Sequence, residues 1–206
     1  MTIRPVHVYL QPTLADWEPG FAIAEINTQR FTPDAPKRYE VRTVAETAQP
    51  VRTMGGLTVV PDGVLEDLRP DASAMLMLIG SGRWDGGAGE EALAKARDFL
   101  DAGVPVAAIC GATFGCARAG LLNHRRHTSA AVEYLQAAPG YTGTALYEDV
   151  PAVTDGNLIT AGPAHPIDYA REVLAALEVY EPARLDAWYG LFKTGEAHYF
   201  ARLHSA

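Results

Sequence analysis

The sequence predicts an α/β domain built on a mostly parallel sheet with helices on both faces, and three observations carry that prediction. Strand-like and helix-like segments alternate along the chain, as they do where each strand is followed by a crossover helix. Residues 74–79 are apolar at every position, which suits a strand buried on both faces. Residues 105–111, Pro-Val-Ala-Ala-Ile-Cys-Gly, form a second apolar run that stops at a cysteine, and the helix-like stretch 112–119 follows at once.

The elements follow in order. Residues 6–10 read as a buried strand ended by Gln11-Pro12-Thr13. Asp16 then stands as the N-cap of a helix running to about Asn27, with Trp17, Glu18 and Pro19 in its first turn. A polar loop, 28–37, leads to an alternating strand at 39–44. Residues 51–53 and 57–60, joined through Met54-Gly55-Gly56, make a small hairpin. The apolar strand 74–79 is followed by a glycine-rich loop, 80–89. Residues 90–102 then show helical spacing through Leu93, Ala96, Phe99 and Leu100, and Gly103 stops them. After the cysteine strand and its helix come a short helix at 132–138, a strand at 158–161 behind an Asp155-Gly156 turn, and an amphipathic helix at 167–177. The tail, 184–206, carries Trp188, Tyr189, Phe192, Tyr199 and Phe200 and reads as a packed extension or subunit contact of a single domain spanning 1–206.

The totals exclude several classes of function. A chain of 206 residues with 48% apolar and 20% charged residues has the composition of one folded domain. A formal net charge of −8 disfavours nucleic acid and anionic membrane surfaces, which call for a basic face. Two cysteines in a Cys-x5-Cys spacing build neither a zinc site nor a disulfide framework. With no signal-like start and no apolar run long enough to span a bilayer, the expectation is a soluble cytoplasmic protein that takes a small-molecule substrate and needs no metal or cofactor. Gly80-Ser81-Gly82 with Gly86-Gly87 follows a strand, but its spacing is not that of a dinucleotide loop.

The chemistry is expected at Cys110. Small neighbours, Ala108, Gly111 and Ala112, suit a tight strand-to-helix turn, a nucleophile elbow. Such a turn sets the thiol at the amino end of a helix, where unpaired N–H groups favour thiolate. Cys116, inside the helix, reads as a small core residue.

The segments Ala-Ala-Ile-Cys-Gly-Ala-Thr (107–113), Leu121-Leu122, His127-Thr128-Ser129, Ala15-Asp16-Trp17-Glu18, Val60-Pro61-Asp62 and Asp155-Gly156-Asn157-Leu158 together resemble the ThiJ/PfpI family. This family of class I glutamine amidotransferase-like proteins includes the parkinsonism-associated deglycase. The resemblance extends to about Leu177. It implies a flavodoxin-like three-layer sandwich, usually dimeric, with a reactive cysteine matching Cys110 and an acidic partner matching Glu18. It also implies an oxyanion hole from the backbone N–H groups of Gly111 and of Ser81, the latter in a loop that reads Pro-Gly-Gly elsewhere in the family.

The chain departs from that pattern in its histidines. Protease-like members carry one directly after the cysteine, where Gly111 stands here. Two substitutes are available. His165, in Ala-His-Pro-Ile-Asp, resembles the His-Pro-Glu segment of true amidotransferases, with Asp168 in place of the glutamate; His127 follows the elbow helix. Trp17, Trp84 and His127 are expected around the pocket. The expected function is a cysteine-dependent enzyme acting on a small carbonyl or amide-like substrate, of hydrolase, glyoxalase or amidotransferase type. The alternative is a stress-related redox sensor whose Cys110 is oxidised without turnover.

Overall fold

The computed structural model of the protein describes residues 3–204. Its centre is formed by the two segments that are apolar throughout, β6 (Met75–Leu78) and β7 (Val106–Ile109), which pair in parallel and are buried at every residue. β1 (Arg4–Tyr9) pairs with the other side of β6, β2 (Tyr39–Ala45) with β1, and β5 (Gly63–Val64) closes that edge. Beyond β7 lie β9 (Leu158–Ala161) and then β8 (Ala152–Asp155), which runs antiparallel to its neighbour. The order β5-β2-β1-β6-β7-β9-β8 is parallel except at β8. This is the flavodoxin-like sandwich that the sequence predicts. The hairpin β3 (Val51–Arg52) and β4 (Thr58–Val59) stands outside the main sheet.

Helices α1 (Gly20–Thr28), α5 (Pro166–Ala176), α6 (Pro182–Thr194) and α7 (Ala197–His204) cover one face. There Ile26, Tyr169, Val173 and Trp188 pack on Val6, Val8, Met75 and Met77. Helices α2 (Glu90–Asp101), α3 (Gly111–Arg118) and α4 (Val132–Gln136) cover the other, with Leu93, Phe99 and Cys116 against Leu76, Leu78 and Ala108. Among the described residues no helix is long and apolar enough to cross a membrane.

One expectation needs correction. Helix α1 starts at Gly20, and Asp16 is not its N-cap: the Asp16 carboxylate accepts the backbone N–H of Gly55 at 2.5 Å, tying the first loop to the hairpin. Trp17 and Glu18 therefore belong to a turn ahead of the helix. The C-terminal extension begins at Pro182 and is part of the core, since Trp188 is fully buried; Ser205 and Ala206, its last two residues, lie outside the described range, as do Met1 and Thr2. The short edge strands β5 and β8 carry too few apolar residues to announce themselves.

Candidate active site

Parallel strands release their connecting loops at one end, and there β7 hands the chain to α3 through Cys110. The handover is abrupt. Cys110 has φ 58° and ψ −129°, a left-handed conformation that glycine favours and other residues adopt at a cost of roughly 1–3 kcal/mol. Its surroundings hold it there. The Cys110 N–H donates to the Ala161 carbonyl at 3.0 Å, and its own carbonyl accepts from the Thr113 N–H at 3.0 Å and the Thr113 hydroxyl at 2.6 Å. The Thr113 hydroxyl is in turn braced by the Ser129 hydroxyl at 2.6 Å. Cys110 is half-buried and its sulfur meets the backbone N–H of Gly111.

Glu18 faces it. The carboxyl is fully buried, and its Oε2 accepts the Gly80 N–H at 2.7 Å. Among the described residues Oε1 has no N–H or O–H donor; the carboxyl faces the Cys110 thiol. Gly80 makes the approach possible, because a Cβ there would stand 2.7 Å from Cys110 Cβ and 2.7 Å from each Glu18 carboxylate oxygen. Burial pushes the Glu18 carboxyl up to about 7, although the Gly80 N–H and the Cys110 thiol pull it back. Burial and then the charge of Glu18 push the Cys110 thiol up to about 12, with Asp85 adding to the rise and the Gly111 N–H opposing it. The helix-end argument for a ready thiolate is therefore outweighed. Cys110 rests as a thiol beside a carboxyl group whose affinity for protons matches neutral pH.

The glycine-rich loop after β6 supplies the opposite wall. Ala15 N–H donates to the Gly80 carbonyl at 2.8 Å, and the Ser81 hydroxyl donates to the Pro12 carbonyl at 2.9 Å, so the loop is zipped to the segment carrying Glu18. The backbone of Ser81 passes beside Gly111, where a Cβ would stand 3.6 Å from the Ser81 nitrogen and 3.0 Å from its oxygen. Cys110, Glu18, Gly111, Ser81 and Trp17 thus line one cavity of about 250 Å3, together with Met54, Asp85 and Tyr134. These last three, with Ala130, are the lining residues that sequence reasoning missed. Asp85 lies in the expected loop and was legible by position, but nothing local marks Met54 or Tyr134.

Trp84 does not wall this cavity. Its fully buried indole donates to the Ile79 carbonyl at 2.8 Å and wedges the loop against α3. A Cβ on Gly115 would lie 2.5 Å from the ring, so the small residues after Cys110 serve Trp84 as well as the elbow. His127 is also a correction. It is buried away from the cavity with both nitrogens engaged, Nδ1 with the Arg125 carbonyl and Nε2 with the Tyr141 hydroxyl, each at 2.7 Å, and burial holds its pKa below the usual value. His165 stands at the start of α5, with Nδ1 3.5 Å from Asp168 Oδ2, and it lines a neighbouring hollow with Ser129 and Asp149. Asp168 is held from the other side by Lys193 at 2.7 Å and by the Tyr189 hydroxyl at 2.8 Å. The structure therefore brings Glu18 to Cys110 and leaves His165 outside the cavity lining.

Residues 4–176 match the family model described as DJ-1/PfpI. The chain belongs to the DJ-1/PfpI family. It is 39% identical over 204 residues to a Bacillus subtilis protein named "Uncharacterized protease YoaZ", covering 98% of this chain and 97% of that one. Among solved structures it is similar to a thiJ/pfpI family protein from Bacillus anthracis, with 37% identity and a TM-score of 0.91 over 98% of this chain and 96% of that one. It is also similar to the DJ-1 superfamily protein Atu0886 from Agrobacterium tumefaciens, with 30% identity and a TM-score of 0.82 over 94% and 99%. The family match ends at Ala176, before α6 and α7.

The two cysteines differ in a way that labelling can test. Cys116 is fully buried, and burial pushes its thiol up to about 12. Iodoacetamide is expected to label Cys110 alone, at a rate that climbs as pH rises into the alkaline range. Glu18→Gln should move that climb to lower pH, because the carboxylate charge opposing thiolate is gone. Peptide mass spectrometry over a pH series reads both; labelling of Cys116 at the same rate would contradict the elbow geometry.

Proposed function

We propose that this DJ-1/PfpI protein is a cysteine-dependent enzyme that acts on the carbonyl carbon of a small molecule, with Cys110 as nucleophile and Glu18 as the group that takes and returns its proton. The observation that carries this reading is the strained Cys110 facing a buried carboxyl with one unpartnered oxygen across Gly80. In the first step the Cys110 sulfur bonds to the carbonyl carbon and the carbonyl π pair moves to oxygen, while the thiol proton passes to Glu18. The backbone N–H groups of Gly111 and Ser81 are the donors assigned to the resulting oxyanion. Return of the proton to that oxygen gives a hemithioacetal from an aldehyde. With an amide, the proton goes instead to the departing nitrogen and leaves a thioester for water to cleave.

Two features favour this over the other readings. A cavity of about 250 Å3 suits a metabolite and not a folded polypeptide. The buried Glu18 carboxyl facing Cys110 supplies a proton acceptor that turnover uses and passive oxidation does not. The test is hydrolysis of small neutral amides by purified protein. Cys110→Ala should abolish it. Glu18→Gln should lower kcat/KM by roughly 10²–10⁴-fold. In the wild type kcat/KM should rise with pH as Glu18 loses its proton, with a midpoint near the value of about 7 that burial imposes. Turnover surviving in Cys110→Ala would overturn the proposal.

A further inference from the structure

The walls of the Cys110 cavity carry a charge pattern that the reaction itself does not need. Three side chains give it an apolar body: Trp17, half-exposed at the mouth, Met54 from the hairpin, and the ring of Tyr134. Tyr134 is steadied by Phe114, with ring centroids 5.0 Å apart, and its hydroxyl donates to Asp85 Oδ1 at 2.5 Å. That bond orients the Asp85 carboxylate at the cavity wall and leaves Oδ2 without a protein donor among the described residues. The other charged group of the lining is Glu18. Among the described residues no Lys, Arg or His lines this cavity, in a chain with a formal net charge of −8.

We infer that the cavity selects its substrate by charge, taking cationic or neutral carbonyl compounds with a small apolar or aromatic body and turning away carboxylate-bearing ones, and that Asp85 is the residue that sets this preference. The inference rests on Cys110 being the reacting group. A substrate carboxylate entering here meets Asp85 and, above neutral pH, Glu18, with no cation to offset them. A substrate cation instead finds the free oxygen of Asp85 and the faces of Trp17 and Tyr134, which attract positive charge. The same pattern argues against glutamine, whose α-carboxylate would find no cationic partner among the lining residues, and against 2-oxo acids.

Methanethiosulfonate reagents that differ only in charge test the selectivity without requiring turnover. In each case the Cys110 thiol gives up its proton, its sulfur forms a disulfide with the reagent and methanesulfinate leaves. The rates of the trimethylammonium-ethyl, methyl and sulfonatoethyl reagents at Cys110 are read by peptide mass spectrometry and normalised to a small free thiol. The cationic reagent is expected to exceed the anionic one by roughly tenfold. Asp85→Asn, at an exposed position, should collapse that ratio, and added salt should shrink it. A normalised ratio near one, or a ratio unchanged in Asp85→Asn, would overturn the inference. Charge-dependent labelling in a protein that turns over no carbonyl compound would sink the proposed reaction and leave the selectivity standing.

Discussion

Glu18→Gln is expected to stabilise the protein by about 3 kcal/mol at pH 8 and by nothing at pH 4, while taking away most of its activity. The size follows from burial, which holds the carboxyl at about 7 in the fold against 4.5 for an unperturbed glutamate. Below the lower value Glu18 is protonated in the folded and unfolded chains alike, and it costs nothing. Between the two values the unfolded chain releases the proton that the folded chain keeps, so stability falls as pH rises. Above the upper value the whole penalty is present and constant. Glutamine has no charge to bury, accepts the Gly80 N–H through its oxygen and offers an N–H toward Cys110. Thermal unfolding of both proteins from pH 4 to pH 8 should show midpoints that coincide in acid and separate by roughly 6–12 °C at the alkaline end. Parallel curves would mean that the buried carboxyl is not held at the cost its surroundings imply. Strain of this kind is tolerated where a group must exchange a proton at neutral pH, and the Cys110 backbone carries a second instance of it.

The parts of this design that were legible in the sequence are those that local chemistry determines. Continuous apolar runs mark β6 and β7, and small residues around Cys110 mark the turn. The position of Glu18 was legible through family resemblance, but its local structure was not. Asp16 has the look of a helix cap, yet its carboxylate is taken by Gly55, a partner 39 residues away that no local rule predicts. The histidines misled for the same reason. His127 stands in a motif beside the elbow, but Tyr141 and the Arg125 carbonyl claim its ring, while His165 turns to Asp168, which α6 holds in place. Thiol acidity was misjudged because a helix end is visible in sequence, whereas burial and the Glu18 charge arise only when β1, β6 and β7 bring their loops together. Asp85 and Tyr134 meet across 49 residues, and only the fold joins them.

Trp188→Ala is expected to cost roughly 3–5 kcal/mol, more than any change to the exposed part of the same tail. Trp188 is fully buried on α6, packed against Phe192 with centroids 5.0 Å apart and against Phe21 at 6.5 Å. Its indole N–H donates to Glu25 Oε1 at 2.9 Å. Glu25 is itself buried on α1, where it accepts the Tyr180 hydroxyl at 2.5 Å and the Arg30 Nε–H at 2.8 Å. Alanine therefore opens a large cavity and removes one donor from a buried carboxylate. Phenylalanine at the same position keeps most of the packing and loses the hydrogen bond, for roughly 1–3 kcal/mol. Phe200, 55% exposed on α7, gives the contrast, and Phe200→Ala should be close to neutral. Denaturant unfolding of the three variants ranks them; Trp188→Ala no costlier than Phe200→Ala would show the tail to be an appendage. The consequence reaches the site, because α1 begins immediately after the Glu18 turn. A tail outside the family match thus clamps the helix that follows the carboxyl facing Cys110, and Trp188→Phe, still folded, should slow Cys110-dependent turnover.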